Sequence, residues 1–183
     1  MNKPKTLFTF DKLSARLIKP EDLGVIQTLL EACDDFSILV TGNPYEPNAA
    51  KDLLLGCPSG IGLENKYVIG FFDQKGMLVG LLDAIRGYPK PEVWFIGLLL
   101  FLPDERNIGL GEKAMKYFED WILSQGAIEV RLGVVENNKA AIRFWEKMGF
   151  NLLEKRPPAK FGQKNQKVLV YQRILTSPFS KGK

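Results

Sequence analysis

The sequence predicts an α/β protein built on a mixed sheet, with hairpins first and a crossover helix later, and three observations carry that expectation. Two apolar runs, 66–72 and 77–86, flank Asp73-Gln74-Lys75-Gly76, a hairpin signature. Leu110, Ala114, Met115, Phe118 and Ile122 form a helical stripe between two strand-like runs, and Gly126 ends it. The length of 183 residues allows one domain that buries most of its apolar surface and is short for two, so 1–183 reads as a single domain.

Each element follows from local chemistry. Residues 14–19 read as a strand that stops at Pro20; Glu21 and Asp22 then suit a first helical turn, and Leu23, Ile26 and Leu30 repeat at helical spacing, giving a helix over 20–33. Residues 41–48 are turn chemistry around two prolines and form a candidate lip over a site, while 49–55 read as a short second helix. Beyond the 66–86 hairpin, a turn at 87–91 leads to a strand over 92–102. A helix at 110–123, a strand at 128–135, a helix at 138–148 closed by Gly149, and strands at 150–153 and 167–175 complete the order.

Composition excludes several chemistries. With 45% hydrophobic and 25% charged residues the chain is in the globular range, which disfavours disorder and coiled coil. It contains no histidine, so Ser-His-Asp catalysis, Cys-His catalysis and His metal ligation are ruled out. Two cysteines, Cys33 and Cys57, cannot frame a disulfide scaffold or a four-ligand zinc site; no metal site is expected, and free thiols in a reducing cytoplasm are the expectation. The N-terminal stretch lacks the apolar core and cleavage site of a signal peptide, and no apolar run is long enough to span a bilayer, so no membrane association is expected. Net charge is +4, and residues 155–183 carry eight Lys or Arg and no acid. That segment reads as a solvated surface, a counter-charge for an anionic small cofactor or, less favoured, a nucleic-acid footprint.

The segment that carries chemistry is 98–118. An apolar strand reaches Pro103, and Arg106-Asn107-Ile108-Gly109-Leu110-Gly111 opens a helix. Glycines there permit close approach of backbone to ligand, and the free N–H groups of a helix start suit a pyrophosphate. The plain alternative is a tight strand-to-helix turn. A Walker loop is excluded because Gly111-Glu112-Lys113-Ala114 lacks the Gly-Lys-Ser/Thr ending. A dinucleotide fingerprint is formally present at Gly109, Gly111 and Ala114, with Glu129 about 20 residues on, but the acid should end its strand and here begins it.

A third reading is a resemblance. Arg106-x-x-Gly109-x-Gly111 resembles the acetyl-coenzyme A loop of the GNAT superfamily of N-acetyltransferases. Asn138-Lys-Ala-Ala141-Ile-Arg-Phe-Trp145, followed by Gly149-Phe150, resembles its other signature, and Arg16 to Leu23 looks like its first strand and helix. The likeness covers roughly residues 13–155 and implies a mostly antiparallel central sheet with helices on both faces. It implies that backbone amides of Asn107, Ile108, Gly109, Leu110, Gly111 and Glu112 hold the coenzyme pyrophosphate next to Arg106. Leu99, Leu100 and Phe101 would pair with the pantetheine arm as an added strand, and Asn138 and Trp145 would border the coenzyme. The implied partners are acetyl-coenzyme A as cosubstrate and an amine acceptor from a small molecule or a protein; superfamily habit also admits a homodimer.

Acetyl transfer needs a neutral amine, yet an alkyl amine of pKa ~10.4 is mostly protonated at neutral pH. Without histidine the base is a carboxylate, acting directly or through water, or the site selects the neutral amine. The resemblance suggests Glu92 at the start of the cofactor strand. Asp83 is the second candidate, because it interrupts the apolar run Leu81-Leu82-Asp83-Ala84-Ile85. A backbone N–H near Leu99 or Leu100 would serve the oxyanion. The sequence departs from the pattern at Trp145, where many members carry a tyrosine able to protonate the leaving thiolate; indole is no practical acid. That departure keeps a rival reading open, a non-catalytic acyl-coenzyme A-binding or regulatory domain. Asp34, Asp35 and Glu46 are acids that would favour a cationic acceptor.

Overall fold

The computed structural model describes residues 5–175; residues 1–4 of the stretch read for a leader, and Lys181 and Lys183 of the basic tail, lie outside them. The chain runs β1 (Thr6–Phe10), β2 (Leu13–Leu17), α1 (Leu23–Ala32), α2 (Asp34–Thr41), α3 (Ala49–Leu55), β3 (Lys66–Phe72), β4 (Leu78–Arg86) and β5 (Val93–Phe101). It continues through α4 (Leu110–Leu123), β6 (Glu129–Val135), α5 (Lys139–Lys147), β7 (Asn151–Lys155), β8 (Ala159–Phe161), β9 (Lys164–Gln166) and β10 (Val168–Ile174). Eight strands form one sheet in the order β1-β2-β3-β4-β5-β6-β10-β7, and β8-β9 form a separate ribbon. Only β5 and β6 are parallel neighbours, joined by the crossover helix α4. The expected mixed, mostly antiparallel sheet is the one observed.

Two apolar clusters show helices on both faces. One face packs Ile69, Leu82, Trp94 and Ile96 against Ala114, Phe118 and Ile122 of α4 and Trp145 of α5. The other packs Val68, Leu81 and Leu100 against Ile26, Leu29 and Leu30 of α1 and Ala50 of α3. All five residues of the expected α4 stripe are buried, and full burial of each large aliphatic or aromatic side chain contributes about 1.5–3 kcal/mol.

Four features depart from the sequence expectation. The first helix is α-helical only from Leu23: Asp22 accepts Arg16 at 2.7 and 2.8 Å and the Lys19 N–H at 2.8 Å, which holds Pro20–Asp22 as a 3-10 turn. The α2 helix follows α1 after Cys33, and strand β1 was not anticipated. The β8-β9 hairpin turns at Gly162, whose φ is +55°.

The β5 register positions the site. Ala84 faces Ile96 and Asp83 faces Leu98, so Gly97 is an extra residue opposite nothing. This bulge shifts the alternation of side chains by one: Trp94 and Ile96 lie on the α4 face before it, whereas Leu99 and Phe101 lie there after it, and Leu98 and Leu100 face α1. Pairing with β6 stops at Ile96↔Leu132. From Gly97 onward β5 pairs only with β4, leaving a row of backbone groups along a cleft between β5 and β6.

Candidate active site

At the C-terminal end of β5 the chain turns through Pro103–Glu105 into the glycine loop. Asn107 has φ +61° and Gly109 φ +85°. Gly109 is the N-cap of α4, and a side chain there would meet no atom within 4 Å, so glycine is required by conformation and not by lack of space. Gly111 has another reason: its Cβ would stand 3.3 Å from the Phe144 ring, so glycine there permits close approach of α4 and α5. The helix start leaves N–H groups and the positive end of the dipole directed at the loop.

The loop opens on a cavity of 570 Å³, the loop cavity, lined by Leu99, Leu100, Phe101, Arg106, Asn107, Gly109, Gly111, Glu112, Asn138 and Trp145. The structure thus brings together ten of the twelve residues expected at the coenzyme. The other two differ: Ile108 is exposed, and Leu110 places its side chain in the core, leaving only backbone for a ligand. Arg106 does not present a free guanidinium. Its Nε donates to the Phe101 carbonyl at 2.8 Å and its Nη atoms donate to Asp35 at 2.5 and 3.1 Å, so it latches the end of β5 to α2. That hydrogen bond holds the Asp35 carboxyl below its ordinary range. Asn138 caps α5, its side-chain oxygen accepting the Ala141 N–H at 3.0 Å. Trp145 is buried and packs edge-on against Phe144 and Phe150 at 4.8 and 5.1 Å.

A second space of 390 Å³ follows the β5-β6 split; it shares Leu99 and Trp145 with the loop cavity and Gly97 and Leu98 with a third space. The third, the bulge cavity, has 450 Å³ and apolar walls from Leu30, Tyr45, Ala49, Leu53 and Leu98, with Asp83 and Gly97 on its floor and Glu46 and Asp52 among its lining. Asp83 is 8% exposed. Its Oδ2 stands 2.8 Å from where a Cβ on Gly97 would lie, so the carboxylate reaches over the bulge. The Lys66 ammonium lies 2.8 Å from Oδ1, off the line of a hydrogen bond. Burial pushes the Asp83 carboxyl above its ordinary range, and the Lys66 contact opposes that rise. Burial likewise pushes the Tyr45 phenol well up, which keeps it neutral.

Other expected residues lie apart from these spaces or are already paired. Glu92 is exposed, precedes β5, and lines none of these spaces. Gly97 lies five positions on, roughly 16 Å along an extended strand. Its backbone carbonyl instead accepts the Ile128 N–H at 3.0 Å. The basic C-terminal segment does not surround the loop cavity: Lys164 donates to the Ile38 and Leu39 carbonyls at the end of α2, Arg156 pairs with Glu154, and Arg173 pairs with Glu119. Of the three acids expected to attract a cationic acceptor, Asp34 accepts the Tyr45 N–H and Asp35 holds Arg106, leaving Glu46 in the bulge cavity. Sequence reasoning missed α2, which contributes Phe36 and Leu39 to the loop cavity, and missed Tyr45 in the bulge cavity and Lys66 beside Asp83. The signals for α2 were Asp34 and Asp35 in its first turn and Gly42 as its left-handed cap.

Among the described residues no helix is long and apolar enough to cross a membrane. Comparison with known proteins follows the same outline. The model of the Acetyltransferase (GNAT) family matches residues 30–150. No curated protein sequence matches the chain. Among solved structures, an acetyltransferase from Thermus thermophilus is 21% identical with a TM-score of 0.72, covering 93% of this chain and 100% of its own. Ard1 from Thermoplasma volcanium is also 21% identical, with a TM-score of 0.69 and coverage of 91% and 100%. Spermidine N-acetyltransferase from Vibrio cholerae, solved with CoA and spermine, is 17% identical with a TM-score of 0.70 and coverage of 89% and 95%. At these identities the structural likeness establishes the fold.

Proposed function

The chain belongs to the Acetyltransferase (GNAT) family, and from that premise we propose that it transfers acetyl from acetyl-coenzyme A directly to a primary amine of a small molecule or protein. The observation that carries this reading is the succession of three spaces with shared lining residues, from the loop cavity along the unpaired edge of β5 to the bulge, where the Asp83 carboxylate stands. The glycine loop fits an anionic coenzyme, since two left-handed residues present amides at a helix start.

Bound acetyl-coenzyme A supplies an activated thioester carbonyl and a thiolate leaving group. Amides of residues 107–112 hold the pyrophosphate, and the free edge at Leu99 to Phe101 pairs with the pantetheine arm. An N–H of that edge near Leu99 or Leu100 receives the developing oxyanion. Asp83 accepts the proton that the acceptor ammonium must lose, directly or across one water. As the new C–N bond forms the C–S bond breaks, sulfur leaves with the electron pair, and the nitrogen sheds its second proton to water or to the departing thiolate. Trp145 lines the route without acting as an acid; a thiolate whose conjugate acid has a pKa of ~8.5 leaves without full protonation. The free thiols Cys33 and Cys57 fit a reducing, cytoplasmic setting.

The test is release of free thiol from acetyl-coenzyme A with a panel of amines. Amine-dependent release is expected. Tight coenzyme binding without turnover on any amine would favour the non-catalytic binding domain, the reading that Trp145 in place of tyrosine supports.

A further inference from the structure

Lys66 has no counterpart in the motifs that mark the family, yet it is among the most confined charges in the described chain. Its side chain is 5% exposed. It opens β3 opposite Ile85, and Asp83 lies two residues earlier on β4, so the two side chains are diagonal neighbours on one face of the sheet. The ammonium has two partners. It donates to the Gly56 carbonyl at 2.7 Å and stands 2.8 Å from Asp83 Oδ1. Gly56 is the C-cap of α3, the helix that brings Ala49, Asp52 and Leu53 to the bulge cavity.

We propose that Lys66 is a positioning residue for the acceptor half of the reaction, holding the Asp83 carboxylate ionised, directed at the Gly97 bulge and joined to the end of α3. The inference rests on the reading of Asp83 as the base. A buried carboxylate left without a counter-charge takes up a proton and ceases to be a base at neutral pH. Among the described residues no Lys or Arg lines the cavity itself, and Lys66 is the cation paired with Asp83. β5 contributes only Gly97 and Leu98 beside Asp83, α1 contributes Leu30 and α2 contributes Ser37 and Thr41; the remaining titratable groups are Tyr45, Glu46 and Asp52. None of these replaces the Lys66 charge, and the two acids oppose ionisation of Asp83. One side of the carboxylate is thus fixed by Lys66 through Oδ1, which leaves Oδ2 over the bulge for the acceptor's proton.

The experiment is the pH profile of kcat/KM in Lys66→Gln and Lys66→Arg, with acetyl-coenzyme A affinity by calorimetry and Asp83→Asn as reference. Gln retains a donor for the Gly56 carbonyl but no charge, whereas Arg retains the charge. Lys66→Gln is expected to lose on the order of tenfold in kcat/KM at pH 7, recovering as pH rises, with coenzyme affinity unchanged. Lys66→Arg is expected to keep the wild-type position of the acid limb. A purely structural lysine would lower the whole profile without moving that limb. An unmoved acid limb in Lys66→Gln, or an equal displacement in both variants, overturns the proposal while Asp83→Asn stays inactive. If Asp83→Asn retains turnover, the reading of the base fails, and the inference with it. Should Lys66→Gln not fold, the Lys66→Arg profile decides: a displaced limb there overturns the proposal and an unmoved limb upholds it.

Discussion

On the loop side the groups proposed to face a ligand are backbone: amides of residues 107–112 at the start of α4 and the unpaired edge of β5. On the bulge side they are side chains from widely separated segments, Tyr45 and Glu46 before α3 and Asp83 on β4, with Lys66 of β3 paired to Asp83 outside the cavity lining. The two halves meet at Gly97, the bulged residue inside β5 that has no partner on β4. A backbone site is set by the conformations that a short stretch can adopt, so it yields only to substitutions that change the path of the chain. A side-chain site is set by long-range packing and yields to replacement of a single functional atom.

The sharpest way to break this contrast is Asp83→Asn, a change of one atom. Turnover should fall by about 10²- to 10⁴-fold, the usual contribution of a positioned base, while calorimetric affinity for acetyl-coenzyme A stays at the wild-type level. Because the change leaves Lys66 buried without its counter-charge, thermal melts should accompany the kinetics. Next in size is Gly109→Val, the mirror case. A β-branched residue at φ +85° is strained, so the loop must refold and coenzyme affinity should drop by roughly tenfold or more, at about 1–2 kcal/mol for a left-handed residue. Equal loss of both activities in both variants would dissolve the distinction.

Smaller effects sharpen it. Trp145→Phe should keep turnover within a few-fold of wild type, since the ring packs against Phe144 and Phe150 and carries no acid; steady-state kinetics with saturating coenzyme would check this. A control distant from both cavities is Glu119, whose carboxyl burial pushes up to about 7 beside Arg173 at 3.0 Å. The folded chain then holds a proton that the unfolded chain has released, so this group lowers stability as pH rises from about 4.5 toward 7. Glu119→Gln should flatten the change in Tm between pH 5 and pH 8 and leave kcat/KM untouched.

The same contrast explains what was legible in the sequence. The α4 stripe, the Asp73 to Gly76 turn and the glycine loop are local patterns, and each appears in the structure where the sequence put it. The α2 helix was missed because Asp34–Thr41 ends in β-branched residues and has no clear apolar stripe; β9 supports it by donating from Lys164 and Gln166 to the carbonyls of Ile38, Leu39 and Val40. Asp83 was visible as a charge inside an apolar run, but its partner Lys66 lies 17 positions away on another strand, and no local rule connects them. Glu92 stands apart from Asp83 because its strand continues well past the bulge, which no local pattern in the sequence reveals.

A crystal structure with coenzyme A bound tests the central claim most directly. The account predicts the pyrophosphate on the amides of residues 107–112, the pantetheine arm along Leu99 to Phe101, and the thiol at Gly97 beside Asp83. A coenzyme whose thiol ends elsewhere, with Asp83 sealed from it by protein, would contradict the joining of the two halves at the bulge.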